Sequence, residues 1–299
     1  MPAAPSPWRL GGLNPRQLLT QVGAAAWVDG LADRAAALSY YSLFSIFPIL
    51  LFLTALVQLV PVRHVIPQLM DTAAMVLPSE AASLVRGTLR QIVTNTGHPG
   101  LVSVVALTSI WVGSAGPASL ITMLTVIHRV PDPRPWWRRR AIAILLTLAF
   151  SIFLISATLL LMLSFHIGSA LARRVAPGAG LERLGSVMTL ALAFALAVVG
   201  LELIYFLAPA RARWHWLTPG SLTAAALWLA ASLGLRLYVS TVANYDVMYG
   251  SIGGIVILLL WLYLTSLVLL LGAEINAVIE DAAVRQGLVP SQAAGARAA

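Results

Sequence analysis

The sequence predicts an all-α fold, a polytopic membrane bundle of six transmembrane helices, on the strength of three observations. The chain of 299 residues is 59% hydrophobic and 10% charged, whereas a soluble domain usually has about 25% charged residues. Its mean hydropathy is +0.87. Six apolar runs occupy most of its length, and each is long enough to cross a hydrocarbon core about 30 Å thick.

We expect these runs to be helices, because every backbone N–H and C=O group must be hydrogen-bonded internally in lipid. The runs are also far longer than the roughly 10-residue alternating strands of a membrane barrel. The predicted spans cover residues 35–60, 101–127, 141–165, 187–207, 222–242 and 252–279.

The segments that flank the spans complete the predicted domain organisation. Residues 1–34 form a cytoplasmic N-terminal amphipathic segment without the pattern of a removable signal peptide. Its helix, 14–30, lies either in the headgroup region or beneath the bundle. The transmembrane domain is 35–279, with an external helical loop at 61–99, and 280–299 is a flexible cytoplasmic tail.

The basic residues predict the orientation of the chain. All 19 are arginines, and the net charge is +8. Twelve lie at the termini or in the loops on one side of the spans and six on the other, so the positive-inside rule places both termini in the cytoplasm. The arginines flank apolar runs and do not form a solvated stripe interleaved with aromatic residues, which argues against a nucleic-acid partner.

Several kinds of chemistry are disfavoured by composition. The chain has no cysteine, which excludes disulfides, thiol nucleophiles and cysteine-bound metals. Its five histidines are scattered without metal-ligand spacing, and it lacks a phosphate-binding GxxxxGK[ST] motif. We therefore expect no cofactor, no metal site and no catalytic residues.

Polar residues inside the spans are the candidate functional residues, because burying them in lipid is costly. A buried arginine, Arg236, motivates a substrate cavity for an amphipathic or anionic molecule. The other predicted lining residues come from the first span and from the start of the sixth: Ser39, Tyr40, Ser42, Ser45, Tyr249, Gly250, Ser251, Gly253 and Gly254. Alternatively, the serines only bond to the preceding turn or to a neighbouring helix.

A second set of residues predicts proton coupling or a buried polar network, because desolvated carboxylates can titrate near neutral pH. The set consists of Glu202, Asp246, Glu274 and Asn276. Asp246 is also a candidate partner of Arg236, and Arg211 or Arg213 is a candidate partner of Glu202.

Two short motifs predict contacts with lipid and between helices. The loop before the third span ends in two tryptophans and three arginines, which suit lipid headgroups and predict anchoring by Trp136, Trp137, Arg138, Arg139 and Arg140. The small residues 113–119 predict close helix packing, and the pair Gly116-Pro117 alternatively marks a broken helix.

Three stretches resemble the YihY/BrkB family of bacterial inner-membrane proteins. They are AALSYYSLFSIFPILLFL at 36–53, RPWWRRR at 134–140 and YGSIGGIVILLLWLYLTSLVLLLGAEINAV at 249–278, and the similarity extends from about residue 29 to residue 279. The resemblance implies six membrane helices, cytoplasmic termini and the bacterial plasma membrane. It supplies no catalytic residues, although members have been labelled ribonuclease BN and one branch is associated with serum resistance and virulence.

These observations predict a transporter, exporter or lipid-moving protein, with membrane lipids and an amphipathic or anionic substrate as partners. A homo-oligomer is compatible with the sequence. The competing interpretation is a non-transporting membrane scaffold in envelope assembly or stress resistance. Ribonuclease activity is not supported, because RNA hydrolysis needs positioned acid–base groups or a metal-binding cluster.

Overall fold

A computed structural model describes residues 7–59, 108–129, 132–175, 179–208, 217–241 and 251–287. These residues form an all-α bundle, which confirms the predicted fold class. The helices are α1 (Pro15–Val28), α2 (Leu31–Leu59), α3 (Ala115–Ile127), α4 (Trp136–Val175), α5 (Ala179–Leu207), α6 (Pro219–Thr241) and α7 (Ser251–Arg285). The predicted external loop, 61–99, lies outside the described residues.

Within the described ranges, five helices are long and apolar enough to cross a membrane. They are Thr108–Ile127, Trp136–Leu161, Met188–Leu207, Pro219–Thr241 and Gly253–Arg285. The predicted first span, 35–60, corresponds to α2, which is not one of these five. The predicted number of six spans is therefore not confirmed.

The outer surface of the bundle is apolar. On α4, the side chains of Leu145, Ile152 and Leu163 are 59%, 62% and 55% exposed. Contiguous apolar surface of this kind is rare on soluble monomers. It suits a hydrocarbon solvent, which explains why long apolar helices are stable here without a large buried core.

The central helix is α7, which packs most extensively against α6 and α2. Its 35 residues span about 52 Å at a rise of 1.5 Å per residue. That length exceeds the roughly 30 Å of a hydrocarbon core. The last turns of α7 contact α1 and a short 3-10 helix, Pro7–Gly12. We call this end of the bundle the α1 end.

Close backbone contact fixes the N-terminal segment on α7. Gly11 has a φ of 60°, and a Cβ atom there would overlap the carbonyl oxygen of Ile279, so glycine is required for both reasons. On α1, Val22 is buried while Leu19 and Trp27 are 73% and 87% exposed. One face of α1 therefore packs against α7, and the position of this helix, in the headgroup region or beneath the bundle, stays a prediction.

The main buried cluster joins five helices. It comprises Leu31, Ala35, Leu38, Leu120, Ile121, Met123, Leu124, Ile127, Ala143, Leu146, Ile204, Tyr205, Ala208, Leu270, Ala273 and Ala277. The small alanines on α7 leave space that the larger aliphatic side chains of α3 fill. This packing brings the polar residues described below together.

The small residues of the second span allow close packing against α2, and the span is interrupted near them, at Ser114 and not at Gly116-Pro117. A Cβ atom at Gly113 would lie 2.9 Å from the Ile49 side chain, and one at Gly116 would lie 3.1 Å from the Ser45 hydroxyl. These distances confirm the close-packing interpretation. The helix is also interrupted at Ser114, and the Gly116 amide donates to Ser45 Oγ at 2.8 Å instead of to its own helix.

Candidate functional site: a buried carboxylate in an ion-pair cluster

The site is built around an arginine at the end of α3. His128 ends the helix with αR geometry, and Arg129 follows with a φ of 53°, in the left-handed region often adopted after a helix C-cap. Its backbone amide donates to the carbonyl of Val126 at 2.9 Å. This turn directs the Arg129 side chain towards α1 and α7.

Arg129 lies among three carboxylates from two other elements. Its Nη1 is 3.0 Å from Asp281 Oδ2, and its Nη2 is 3.1 Å from Asp29 Oδ2. The same Nη2 lies 3.5 Å from Glu274 Oε1. We call Asp29, Arg129, Glu274 and Asp281 the Arg129 cluster, which joins the end of α1, the end of α3 and α7.

The cluster holds the guanidinium firmly in its charged form. Partial burial lowers the pKa of Arg129, but the hydrogen bond to Asp29 and the negative charges of Asp29, Glu274 and Asp281 raise it by more. The net result is a pKa above the ordinary arginine value. Arg129 is therefore a permanent cation at physiological pH.

Glu274 differs from the other two acids in its surroundings. Its side chain is 0% exposed, whereas those of Asp29 and Asp281 are 13% and 42% exposed. Among the described residues, neither carboxylate oxygen of Glu274 has a hydrogen-bond partner. A buried charged group without hydrogen bonds is strongly disfavoured, so this side chain is the most energetically unusual group of the site.

Replacing Arg129 with alanine should destabilise the chain by about 2 kcal/mol. This is less than the 3–5 kcal/mol of a broken buried pair, because solvent screens the Arg129 side chain, which is 46% exposed. The additional change Glu274→Gln should restore part of that loss by removing the buried carboxylate. Thermal unfolding of the purified protein in detergent measures both effects, and equal stability of the single and double variants would contradict this coupling.

A second polar cluster lies at the start of α6, centred on Glu202. Its Oε1 accepts hydrogen bonds from the Thr218 amide at 2.5 Å, from Thr218 Oγ1 at 2.7 Å and from Ser221 Oγ at 2.5 Å. Asn276 donates to Thr218 Oγ1 at 3.0 Å and accepts from the Gly220 amide at 2.9 Å. Glu202 and Asn276 thus share one network through Thr218, and Glu274 belongs to the other cluster.

This arrangement gives Glu202 a structural explanation. The first amides of a helix have no partner within the helix, and a carboxylate placed there satisfies them and interacts favourably with the helix dipole. The candidate partners Arg211 and Arg213 lie outside the described residues. Of the four residues predicted for proton coupling or a polar network, Glu202 and Asn276 thus share a helix cap, and the assignment of the whole set stays a prediction.

The predicted lipid-anchoring residues occupy two different environments. Trp136, Trp137 and Arg138 are exposed, and the Arg138 guanidinium lies 5.1 Å from the centre of the Trp137 ring. Arg139 is exposed as well. Arg140 instead donates from Nη2 to the Trp111 carbonyl and stacks over the Trp111 ring at 4.5 Å.

The interruption of the second span explains this contact of Arg140. The Trp111 carbonyl also accepts a hydrogen bond from Ser114 Oγ at 2.8 Å, so side chains bond to it where the helix breaks. Four of the five residues predicted to anchor lipid remain available to headgroups, while Arg140 joins α4 to the second span. Lipid binding by the exposed four stays a prediction.

The described members of the predicted cavity set lie on α2, α6 and the start of α7. Ser39 Oγ donates to the Ala36 carbonyl at 2.7 Å, and Ser45 Oγ donates to the Tyr41 carbonyl at 2.8 Å. Tyr40 is 55% exposed, Ser42 is partly buried and Arg236 is exposed on α6. Gly253 and Gly254 are buried in the first turn of α7, where Ser251 is the first residue.

Three of the predicted site residues, Tyr249, Asp246 and Gly250, lie outside the described residues. The assignment of a cavity to Arg236 and the serines therefore stays a prediction. The local hydrogen bonds of Ser39 and Ser45 are those of the alternative interpretation, in which hydroxyl groups bond within their helix or between helices.

The loop before α4 is held by an ion pair. Arg134 donates from Nε to Asp132 Oδ1 at 2.8 Å and from Nη2 to Asp132 Oδ2 at 3.0 Å. The same Nη2 donates to the Ala208 carbonyl at the end of α5 at 3.2 Å. Burial raises the pKa of Asp132, but the hydrogen bonds and charge of Arg134, together with the charge of Arg139, lower it by more.

The lowered pKa of Asp132 predicts a pH-dependent contribution to stability. A carboxylate whose pKa falls on folding stabilises the protein above its unfolded pKa, about 3.9, and loses that effect as the pH falls through its folded pKa. Asp132→Asn should therefore cost about 1 kcal/mol at pH 7, and the cost should shrink as the pH falls below about 4. Melting temperatures of both chains measured against pH test this; a constant difference would contradict it.

Sequence reasoning did not assign a site role to Arg129, Asp29 or Asp281. Arg129 is one of the twelve arginines that predict the orientation of the chain in the membrane. Its neighbours in sequence do not indicate its ion-pair partners. One signal was available: Glu274 and Asp281 are seven residues apart, which places both on one face of a helix. The partners of Arg129, 100 and 152 residues away in sequence, follow only from the packing of α1 and α7 against α3.

The helices and their buried polar clusters define an integral α-helical membrane protein. Comparison with known protein families specifies the family. The family model described as virulence factor BrkB matches residues 23–296 of this chain. The chain therefore belongs to the BrkB family, as the three sequence stretches predicted. No solved structure matches it.

The named relatives are membrane proteins and one ribonuclease-like protein. The chain is 28% identical over 248 residues to the ribonuclease-like protein YfkH of Bacillus subtilis, covering 83% of this chain and 89% of YfkH. It is 27% identical over 260 residues to a UPF0761 membrane protein of Aeromonas salmonicida, covering 85% of each. A UPF0761 membrane protein of Rhodospirillum centenum is 29% identical, and the match covers 83% of this chain and 54% of that protein.

Proposed function

We propose that the chain moves an amphipathic or anionic substrate across or within the bacterial plasma membrane, as a transporter, exporter or lipid-moving protein. The observation that supports this most directly is Glu274, fully buried and without a hydrogen bond among the described residues. Ionisable residues within membrane spans commonly mark substrate or ion pathways. A purely structural role would be better served by an apolar residue of similar size.

The proposed orientation places the α1 end in the cytoplasm. Arg9, Arg16, Arg34, Arg129 and Arg285 lie at that end of the chain's helices, and such an excess of arginine is typical of cytoplasmic loops. Both termini would then be cytoplasmic. Tags placed at the two ends should remain inaccessible to protease in intact cells, and cleavage of either tag would contradict the orientation.

The substrate class follows from the positive side chains that lipid can reach. Arg236 is exposed on α6 near Leu233 and Leu237, which are 60% and 66% exposed. A guanidinium among apolar, lipid-facing side chains attracts anionic groups while its surroundings accommodate acyl chains. An amphipathic anion therefore fits this surface better than a small hydrophilic solute.

Proteoliposomes that contain only the purified chain test the proposal. Fluorescent anionic and zwitterionic phospholipids should move between leaflets faster than in protein-free vesicles, and the anionic probe should move faster than the zwitterionic one. Arg236→Ala should reduce the anionic rate about tenfold, the effect of about 1.4 kcal/mol, while Glu280→Gln, a matched change elsewhere in the chain, should not. Rates equal to those of protein-free vesicles, with the chain folded and inserted, would overturn the proposal.

A non-transporting scaffold is the second candidate function, and specific contacts favour it. Tyr205 donates from its hydroxyl to the Leu269 carbonyl at 2.7 Å, and Trp228 donates to Thr265 Oγ1 at 3.2 Å. Together with the bond from Gly116 to Ser45, these contacts use polar groups to join helices. A scaffold should show no lipid movement in the vesicles.

For both candidate functions, we propose that the chain is not an enzyme. RNA added to the purified protein should therefore remain intact.

A further inference from the structure

The Arg129 cluster contains more acid than base. Three carboxylates surround one guanidinium, and the two outer acids occupy its terminal nitrogens at 3.0 and 3.1 Å. Glu274 is left at 3.5 Å, without a hydrogen bond to Arg129. If all three acids were ionised, the cluster would have a net negative charge. Its one fully buried acid, Glu274, would then lack a hydrogen bond among the described residues.

We propose that Glu274 is a proton-binding site and that Arg129 changes its carboxylate partners when the proton leaves. With the proton bound, Glu274 is neutral and its burial is tolerated. The arrangement in the structure, in which Arg129 bonds to Asp29 and Asp281, is the one expected for this neutral state. The role of the proton in moving a substrate rests on the proposed function, whereas proton binding itself does not.

A proton fits this position better than a metal cation. The Arg129 guanidinium lies 3.5 Å from Glu274 Oε1, and a sodium ion at the same carboxylate would be repelled by it at close range. Sodium and calcium ions also need several oxygen ligands, whereas a proton needs one. Among the described residues, no group of three or more acidic or histidine side chains has the geometry of a metal site.

Loss of the proton has a defined structural consequence. The buried negative charge of Glu274 would attract the guanidinium, and the distance between Nη2 and Oε1 would shorten from 3.5 Å to a hydrogen bond. Because the same Nη2 bonds to Asp29, the contact with Asp29 would weaken. Asp29 is the C-cap of α1, so proton binding is linked to how tightly α1 is held on the bundle.

The other charged groups around the site support this linkage. From α2, Arg34 donates from Nε to the Asp29 carbonyl at 2.5 Å, and Asp33 lies in the same first turn. From α7, Arg285 bonds to Gln21 of α1 at 3.4 Å. The 3-10 helix contributes Arg9, while α6 has its one arginine, Arg236, near its opposite end. None of these groups bonds to the Glu274 side chain within the described structure.

Infrared spectroscopy of the purified protein in detergent tests the proton site. The carbonyl stretch of a protonated carboxylic acid should appear as the pH is lowered across roughly pH 8 to 5, the range around and above ordinary carboxyl values. Glu274→Gln should remove this band, and Glu280→Gln, a matched change on the same helix, should leave it. Survival of the band in folded Glu274→Gln would overturn the proposal.

A second variant keeps the test decisive if Glu274→Gln does not fold. Arg129→Lys retains a cation but not the forked geometry, so the pH midpoint of the band should shift. An unchanged midpoint would overturn the coupling to Arg129. A midpoint that moves with sodium concentration would identify a cation site instead of a proton site and would equally overturn the proposal.

Movement of α1 provides an independent measurement. Because the chain has no cysteine, spin labels attached through Ala24→Cys and Pro133→Cys, both exposed positions, report one distance. That distance should change with the same pH midpoint as the infrared band and should be constant in Glu274→Gln. If the infrared band titrates but the chain moves no lipid in vesicles, the proposed function is rejected and the proton site stands. If the chain moves lipid but the band is absent, the proton site is rejected and the proposed function stands.

Discussion

Replacing Gly220 or Gly272 with alanine should destabilise the chain by about 3 kcal/mol or more, the upper end of the range for overpacked interiors. A Cβ atom at Gly220 would overlap the backbone carbonyl oxygen of Gly272 and the side chain of Asn276. One at Gly272 would overlap the Tyr205 hydroxyl and lie 2.7 Å from both Ala224 Cβ and the Gly220 carbonyl oxygen. Backbone atoms cannot yield as a flexible side chain does.

The glycine-to-alanine variants should also lose stability through broken hydrogen bonds, in addition to steric strain. Gly220 donates its amide to Asn276, and Tyr205 bonds to the Leu269 carbonyl of α7. Separating α6 from α7 would break the Gly220–Asn276 bond, and displacing Tyr205 of α5 would break its bond to α7, in a region where lipid offers no replacement hydrogen bonds. Thermal unfolding in detergent, or the yield of folded protein from membranes, measures the loss.

Gly234 provides the matched control on the same helix. Among the described residues, no atom lies within 4 Å of where a Cβ at this position would be, and alanine is favoured over glycine inside a helix by up to about 1 kcal/mol. Gly234→Ala should therefore leave stability unchanged or raise it. If all three glycine variants unfolded alike, close approach of α6 to α7 would not be the determinant of stability that the distances indicate.

Replacing Glu202 with alanine should cost roughly 3–5 kcal/mol, because it removes the acceptor of three hydrogen bonds. The Thr218 amide and two hydroxyl groups would remain buried without that partner. The start of α6 would also lose the negative charge that interacts favourably with its dipole. The consequence should be a lower melting temperature and a less ordered junction between α5 and α6.

Two further variants distinguish a cap from a general effect of removing acid. Glu202→Gln keeps one carbonyl oxygen as an acceptor, so it should cost less than Glu202→Ala. Glu280→Ala removes an acid from α7 that is only partly buried, and it should cost less than about 1 kcal/mol. Equal losses from Glu202→Ala and Glu280→Ala would contradict the capping role.

The two polar clusters meet on one helix, α7. Gly272 and Asn276 contact the start of α6, while Glu274 lies between them in sequence and contacts Arg129. The helix therefore presents a structural face to α6 and a charged face to α1 and α3. Movement at one face is expected to be transmitted along a rigid element to the other.

The helices themselves were predictable because long apolar runs with few charges have only one stable form in lipid. The predicted bounds of the last two spans, 222–242 and 252–279, agree closely with α6 and the apolar part of α7. The predicted number of six spans is not confirmed, since α2, which covers residues 35–59 of the predicted first span, is not one of the five membrane-length helices found in the described residues. The hydropathy of a segment predicts whether that segment can be a membrane helix. It does not predict where the helix lies in the bundle.

Sequence by itself determined that the chain is an α-helical membrane protein, and it predicted that Glu202, Asp246, Glu274 and Asn276 serve proton coupling or a buried polar network. Only the tertiary structure decided which of them act together: Glu202 and Asn276 cap α6, while Glu274 joins Asp29, Arg129 and Asp281. The physical reason is that hydrophobicity and helix periodicity are local properties. The partners of a charge depend on which helix faces pack, and the three distant segments of the Arg129 cluster meet only after that packing is complete.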